Sequence, residues 1–485
     1  MLSITETGLM KPLRIFLVNV GHRRMMFPLV TPPMGIMSLA AYIRTKFDAT
    51  FRLVNQRAEN YPDQELVKEI VAFEPDIVGF SSLTVFGHLL EGLARDVRAA
   101  CPKTLIALGG PHASAFEAAA LEAVPDANVL VVGEGELAFE RIIEAYQSGS
   151  GYGDIPGLVW RTPEGNVVTN PGDLPPIADL DTLPFPAYDL IDISLYWHQQ
   201  SQTPLPPRKY ASLVSSRGCP YKCMWCHKIF GKKFRGKSAE RMAEEIAFFN
   251  KQYDLDEFEF IDDIFNFDHK RLHTFADLLR QRDLRIKTTY PNGIRGDILT
   301  PEDIEAFLAI GTYFCSFALE SGSPRIQELT GKHLNIPRFL EGLTMMASKG
   351  VFTNGFMMLG FPDETEAEMR QTIKTAADSR LHTASFYTAT PFPNTPLHAW
   401  AKVNRPEQLI HLDYRDADLS AMRVNLSAEP DEVLYKYQRK AHRDFYMRPS
   451  RVYRILRDSP QKGLVRRYLP IFLHRSFKGI FPEKH

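Results

Sequence analysis

The sequence predicts an α/β chain: a doubly wound parallel sheet, then a partial barrel of six βα units, then a helical tail. Short β-branched, continuously apolar runs alternate with stretches of helical periodicity, as parallel strands buried on both faces require. The series occurs twice, interrupted between residues 149 and 208 by a hairpin pattern and a proline-rich run. At 485 residues the chain exceeds one ordinary core, so two domains and a tail are expected.

Residues 11–148 make up the first domain. Its strand candidates are RIFLVNV (14–20), FRLVN (51–55), DIVGFSSL (76–83), TLIALGG (104–110) and NVLVVGEGE (128–136), with helices expected at 63–73 and 89–100. Ligands of such sheets bind outside the carboxyl ends of the strands. Those ends carry Ser81, Ser82 and Thr84, then GGPHAS with Gly109, Gly110 and His112, then GEGE with Gly133 and Glu134. Tight βα turns alone would explain any one of these glycines. Three small, polar rims in one sheet point to a ligand. GLVWRTPEGNVVTNPG (157–172) reads as a hairpin turning at 163–166. The run LPPIADLDTLPFPAYDL (174–190) reads as a linker packed along the next domain.

The second domain spans 209–398. Its strands are expected at 210–218, 257–263, 286–290, 313–321, 352–361 and 383–390, separated by helices at 239–249, 270–281, 301–309, 338–348 and 364–377. Thr300 and Asp363 read as N-caps, with Pro301 in the first turn of its helix. Barrel chemistry sits at the C-terminal ends of strands. Residues 399–485 are helical in pattern, and 451–480 are basic with interleaved apolar residues. That end suits either an anionic membrane surface or a solvated helical face whose apolar side packs on the barrel, and the second is the expectation.

The composition is that of a globular chain, 44% hydrophobic and 24% charged with net charge −1. It offers no argument for nucleic acid or an acidic substrate. No apolar run reaches about 18 residues, and the N-terminus lacks a secretory pattern. Cys101 and Cys315 stand apart, so no disulfide framework is expected and a reducing cytoplasm fits.

The other three cysteines, Cys219, Cys223 and Cys226, crowd into GCPYKCMWC at C-x3-C-x2-C spacing, directly after the first barrel strand. Three thiolates can hold three irons of a cubane and leave the fourth open, whereas structural zinc closes its shell with four ligands. His227 keeps zinc open as an alternative, although adjacent Cys226 and His227 project awkwardly for one tetrahedral site. Three unligated thiols on a loop would be reactive and without use.

The stretch GCPYKCMWC resembles the signature of the radical S-adenosylmethionine (SAM) superfamily, with Trp225 as the aromatic before the last cysteine. The resemblance implies a 4Fe-4S cluster on the three cysteines. Its open iron would chelate the amino and carboxylate groups of SAM and yield a 5′-deoxyadenosyl radical. It also implies SAM contacts at the other strand ends: Asp262 and Asp263 for the amino group, Glu320 and Ser321 for the ribose, Gly360 and Phe361 along the adenine. One of the two aspartates is expected only to cap a turn. Asn292 and Arg295 would point at the mouth, although Arg295 equally suits a local acid. Tyr387 and Phe392 suggest an apolar, partly aromatic substrate wall.

The first domain resembles the cobalamin-binding domain that precedes the barrel in one radical SAM subclass, through PPMGIMSLAAYI, PDIVGFSSLT, GGPHAS, VVGEGE and LDTLPFPAYDL. The resemblance implies cobalamin contacts at Ser81, Ser82, Thr84, Gly109, Gly110, His112, Gly133 and Glu134. One departure is visible. Where cobalamin mutases present D-x-H-x-x-G, this chain reads NVGHRR, with Asn19 for the aspartate and His22 out of spacing. No cobalt-ligating histidine is expected from this loop. The implied activity is C-methylation of an unactivated carbon through methylcobalamin. The same two domains also occur in enzymes similar to the anaerobic magnesium-protoporphyrin ester cyclase and in rearrangement enzymes. A cobalamin-responsive binding protein with a non-catalytic metal site is the reading from another class. Implied partners are a small-molecule or lipid-like substrate and an electron donor such as flavodoxin or ferredoxin.

Overall fold

The computed structural model describes residues 11–23, 28–205, 208–227, 229–410, 412–415 and 424–460. They fall into two compact units, Met1–Gln199 with His227–Gly231, and Gln200–Cys226 with Lys232–His485.

The first unit is a seven-stranded sheet. Its strands are β1 (Leu13–Val20), β2 (Ala49–Asn55), β3 (Ile77–Ser82), β4 (Leu105–Gly109), β5 (Val129–Leu130), β6 (Val159–Arg161) and β7 (Val167–Thr169), in the order β2-β1-β3-β4-β5-β6-β7. The first five are parallel, and the order reverses between β1 and β3, where such folds bind ligands. Phe16, Val18, Phe80, Ile106 and Leu108 face Leu66, Ile70, Leu93 and Val97 of the covering helices.

Two expectations change here. β5 has two residues rather than nine, because the left-handed Gly133 (φ +79°) turns the chain out of the pleat. The hairpin is not part of a linker: β6 pairs antiparallel with β5 and β7 finishes the sheet edge. The proline-rich run has contacts within the first unit. There Ala187 N–H donates to Met37 O (3.2 Å), and Arg44 pairs with Asp189 (2.7 Å).

The second unit holds β8 (Ala211–Leu213), β9 (Ser216–Arg217), β10 (Arg235–Gly236), β11 (Glu257–Phe260), β12 (Lys287–Ile294), β13 (Thr312–Glu320), β14 (Phe352–Leu359) and β15 (Thr383–Thr388). β8 and β11–β15 lie side by side in chain order, all parallel, as a partial barrel requires. Alternation along β11 sends Phe258 and Phe260 to one face, where Phe260 stacks on Tyr290 at 5.5 Å. Glu259 takes the opposite face, fully buried, and meets Arg208 Nη2 at 2.8 Å and Ser201 Oγ at 2.8 Å. Arg208 also pairs with Glu257. β12 runs four residues past its expected end, through an irregularity between Tyr290 and Ile294.

Thr300 caps its helix in a capping box with Asp303, as expected. Asp363 does not cap the helix Glu366–Asp378. It takes φ +54°, and Thr365 with Glu368 forms the capping box instead.

The helix Asp431–Tyr446 protects the edge strand β15. Tyr446 OH accepts the N–H of Ala384 and donates to its carbonyl, both at 2.9 Å. The helix Pro449–Asp458 departs from expectation, because it buries Arg451 and exposes Val452, Tyr453 and Leu456. Residues 461–480 of the basic end lie outside the described residues. Among the described residues no helix is long and apolar enough to cross a membrane.

Replacing Arg208 with Met removes the cation facing buried Glu259. We expect a loss of about 3–5 kcal/mol in urea unfolding, because an uncompensated buried carboxylate remains.

Candidate functional site

The cysteine loop leaves β9 and returns through β10. These pair antiparallel (Arg217↔Arg235, Ser216↔Gly236) and clip its base. Its middle is held from two sides through one residue. Met224 N–H donates to Thr330 O (2.9 Å), and Leu397 N–H donates to Met224 O (2.8 Å). Thr330 follows the helix Pro324–Leu329 after β13, and Leu397 lies in the helix Pro396–Asn404 after β15. Gly331 takes φ +66°, and a Cβ there would meet Lys222 O at 3.0 Å, so the connector needs glycine.

The three cysteines are half-buried free thiols. Burial pushes each thiol up, Cys226 to about 12, with Lys232 opposing and Asp263 adding to the effect there. Nearby iron would reverse that balance, because a metal ion deprotonates its coordinating thiols. Among the described residues no three His, Cys, Asp or Glu side chains gather around one point. Zinc needs its ligands to converge on one ion, whereas a cubane takes one thiolate per iron. His227 is exposed, with Nδ1 3.4 Å from Ile229 N. The donor set fits the cluster.

The adjacent aspartates divide. Asp262 is fully buried and accepts from Ser216 Oγ (2.6 Å) and Ser215 Oγ (3.1 Å), while Arg271 Nη1 donates to Ser215 O (2.9 Å). It braces the strand that leads to the cysteines. Asp263 is exposed, and its charge acts on Cys219 and Cys226.

Glu320 ends β13 in the left-handed region (φ +63°), a strained conformation for a side chain with a Cβ. It is buried, which raises its pKa, while Lys332 pulls the other way with Nζ 3.4 Å from Oε1. Lys332 Nζ also lies 5.7 Å from the Trp225 ring centroid. Sequence reasoning missed Lys332. The available signal was Glu320 itself, since a carboxylate closing an apolar strand needs a partner.

Ser321 is used inside the fold. Its Oγ accepts from Ser323 N–H (3.1 Å) and lies 3.2 Å from Thr372 Oγ1. Gly360 takes φ +86°, and a Cβ there would meet Leu434 at 3.1 Å, so the helix Asp431–Tyr446 is one reason for the glycine. Phe361 is fully buried, 5.2 Å from Trp225. The N–H groups of Gly360 and Phe361 donate to Glu364 Oε2 at 2.7 and 3.1 Å. Glu364, also missed, is pushed up to about 8 by burial, against the pull of those amides.

Asn292 and Arg295, expected at the mouth, are both held by partners in the second unit, and Arg295 meets a local acid. Asn292 donates to Ile261 O (2.8 Å). Arg295 pairs with Asp297 (2.8 Å), donates to the carbonyls of Lys332 and His333, and lies 3.7 Å over the Tyr221 ring. Tyr387 packs with Phe356, and Phe392 packs with Tyr414.

The strand ends of the first unit form a separate rim. Ser81 Oγ occupies the space a Cβ on Gly110 would fill, at 2.3 Å. Gly109 has nothing within 4 Å of its Cβ position. Ser82 Oγ is buried without a hydrogen-bond partner. Thr84 opens the 3-10 turn Thr84–Leu89. His112 packs its ring on Phe116 (4.7 Å) and beneath Gly87, and burial with nearby His88 pulls its pKa down to about 4. Gly133 N–H donates to Ser114 Oγ (3.0 Å), and Glu134 beside it is half-buried. Leu83 and Val132 stay 37% exposed at the strand ends. Open glycine, an unpaired hydroxyl and exposed apolar residues suit a large ligand with polar and apolar parts. His22 is held by Asp63 at 2.7 Å.

Comparison with known proteins finds a family for each unit. The B12 binding domain family matches residues 26–143, and the Radical SAM superfamily matches residues 213–376. The chain belongs to the radical SAM superfamily, in the branch that carries a cobalamin-binding domain. It is 30% identical over 420 residues to an uncharacterized methyltransferase of Pyrococcus horikoshii, covering 86% of this chain and 88% of the relative. It is 26% identical over 493 residues to cytidylyl-2-hydroxyethylphosphonate methyltransferase of Streptomyces wedmorensis, covering 90% and 89%. The fold matches the cobalamin-dependent SAM radical enzyme OxsB, solved with aqua-cobalamin and SAM, at a TM-score of 0.71 and 14% identity, covering 97% of this chain and 76% of that one.

The aspartate assignment is testable by thermal melting. Asp262→Asn should destabilise by about 1–3 kcal/mol, as loss of a buried, charge-assisted hydrogen-bond set does. Asp263→Asn should leave the melting temperature unchanged.

Proposed function

We propose that this protein is a cobalamin-dependent radical SAM methyltransferase acting on an unactivated carbon of a small or lipid-like molecule. One observation supports it above the rest. The thiol loop, strained Glu320 and Lys332 meet on one rim of the second unit, linked by the Lys332 contacts to Glu320 (3.4 Å) and Trp225 (5.7 Å). The two methyltransferase relatives, each aligned over most of the chain, support methylation over cyclisation.

When bound, a 4Fe-4S cluster supplies the electron that cleaves SAM, and cobalamin carries the transferred methyl group. The chain's residues take the following parts. Cys219, Cys223 and Cys226 hold the cluster. Lys332 offers an ammonium to the SAM carboxylate, and Asp263 offers a carboxylate to its amine. Glu320 accepts from the ribose hydroxyls. Trp225, backed by buried Phe361, gives an apolar wall. Ser82, Thr84 and open Gly109 serve the cobalamin tail. Between Tyr221 and Ala239 the sequence carries five lysines and an arginine and no acid, which suits an acidic electron donor such as flavodoxin or ferredoxin. A cytoplasmic setting is consistent with such chemistry.

Anaerobic incubation with SAM and dithionite should yield 5′-deoxyadenosine, and Cys223→Ala should yield none. Lys332→Met should weaken SAM binding about tenfold, the effect of one charge-assisted contact. Methyl-deuterated SAM should leave its label on the corrinoid or on a product. Iron-replete protein that forms no 5′-deoxyadenosine would instead be a binding protein.

A further inference from the structure

The turn that carries Lys332 is held on both its N–H and its carbonyl side. Gly331 and His333 take φ +66° and +48°, so the main chain is left-handed on either side of Lys332. The N–H groups of Lys332 and His333 both donate to Gln327 O at 3.1 Å, which ties them to the helix Pro324–Leu329. Their carbonyls accept from Arg295, Lys332 O from Nη1 (3.1 Å) and His333 O from Nη2 (2.9 Å). Asp297, paired with Arg295 Nε at 2.8 Å, accepts the N–H of Asn335 just past the turn at 3.1 Å. Arg295 is itself anchored. Its N–H donates to Asn266 Oδ1 (3.0 Å), its carbonyl accepts from Asn266 Nδ2 (2.9 Å), and Asn266 is buried.

The same guanidinium faces the cysteine loop. It lies 3.7 Å over the ring of Tyr221, which stands between Cys219 and Cys223 in the sequence. Loop and turn also meet directly, where Met224 N–H donates to Thr330 O (2.9 Å) and Lys222 O lies against Gly331. One planar group therefore spans the segment bearing the thiols and the segment bearing Lys332. Neutralising Asp297 would occupy one edge of it. Here Nε and Nη2 serve Asp297, both Nη atoms reach carbonyls, and the flat face covers an aromatic ring. A lysine has one nitrogen and no flat face, so it could not make these contacts together. The main chain at residue 332 matters because the ammonium sits on a flexible four-carbon stem, 3.4 Å from Glu320 and 5.7 Å from the Trp225 ring centroid. A stem with a fixed base loses less freedom when its charge takes a partner.

We propose that Arg295 is a positioning residue for SAM binding. By holding the carbonyls of Lys332 and His333 while stacking on Tyr221, it keeps the Lys332 ammonium at a set place relative to the cysteine loop. The inference rests on the assignment of Lys332 to the SAM carboxylate. In this role Arg295 acts through Lys332 rather than on SAM itself.

A double-mutant cycle on the full-length, iron-loaded protein tests it. The dissociation constant for SAM is read per cluster, from the change SAM makes in the EPR spectrum of the reduced protein. Arg295→Lys should raise that constant about tenfold, as much as Lys332→Met, because the charge stays and the clamp goes. In the Lys332→Met background Arg295→Lys should add less than about twofold, since the group it positions is already absent. The KM for SAM in 5′-deoxyadenosine formation should rise with it, while kcat changes less than about twofold. An arginine with a merely structural role would lower the melting temperature and the iron content and leave the constant per cluster unchanged. If Arg295→Lys does not load iron, Tyr221→Leu carries the test, because Arg295 then keeps its hydrogen bonds and loses only the ring. Its constant should rise about threefold in the parent and not in the Lys332→Met background. An unchanged constant in Arg295→Lys, or losses that multiply to about a hundredfold in the double variant, overturn the proposal alone. A Lys332→Met variant that binds SAM as the parent does overturns the Lys332 assignment and the proposal with it.

Discussion

The peptide of Met224 is the point on which the cysteine site depends. A loop carrying three thiols has no reason to hold them at fixed spacing, because the entropy of an unrestrained segment of that length is large. Here the N–H of Met224 is taken by Thr330 and its carbonyl by Leu397. Those partners follow the third-last and the last strand of the parallel sheet, so the loop after the first strand is fastened to its far side. This pair of hydrogen bonds uses backbone atoms only. It leaves the thiols uncommitted and demands little of the local side chains beyond a glycine at 331, where the connector runs against Lys222 O.

Buried carboxylates do different work according to what faces them. Glu259 is neutralised by Arg208 within the second unit and supports the fold. Asp262 is spent on two serine hydroxyls and keeps the approach to the cysteines straight. Glu364 gathers the amides of Gly360 and Phe361 and so sets the turn that places Phe361 behind Trp225. Glu320 alone combines a strained backbone with one weakly placed cation at 3.4 Å. That combination is tolerated where a ligand completes the set, and it separates Glu320 from the three structural acids.

The C-terminal helices illustrate how far a local pattern can mislead. The apolar and basic residues of 449–458 read as an ordinary amphipathic helix, which would bury Val452 and Leu456. The winning interaction is with carbonyls at the end of a helix some seventy residues earlier. Likewise Gly360 looked like a ligand approach, yet Leu434 of a later helix already occupies the space beside it. Ser321 stood next to a functional glutamate but faces Thr372. In each case the deciding partner is distant in sequence, and periodicity carries no information about it.

By itself the sequence determined the alternation of strands and helices, the two-part organisation, the cysteine spacing and the position of the cysteines after the first barrel strand. These are consequences of local periodicity and of residue chemistry, which need no partner to be read. Only the tertiary structure decided which of Asp262 and Asp263 is free, that Lys332 answers Glu320, that the hairpin extends the first sheet, and which side of the helix Pro449–Asp458 faces out. Those outcomes depend on which groups meet across the fold, where burial and hydrogen bonding set the cost of leaving a charge unpaired.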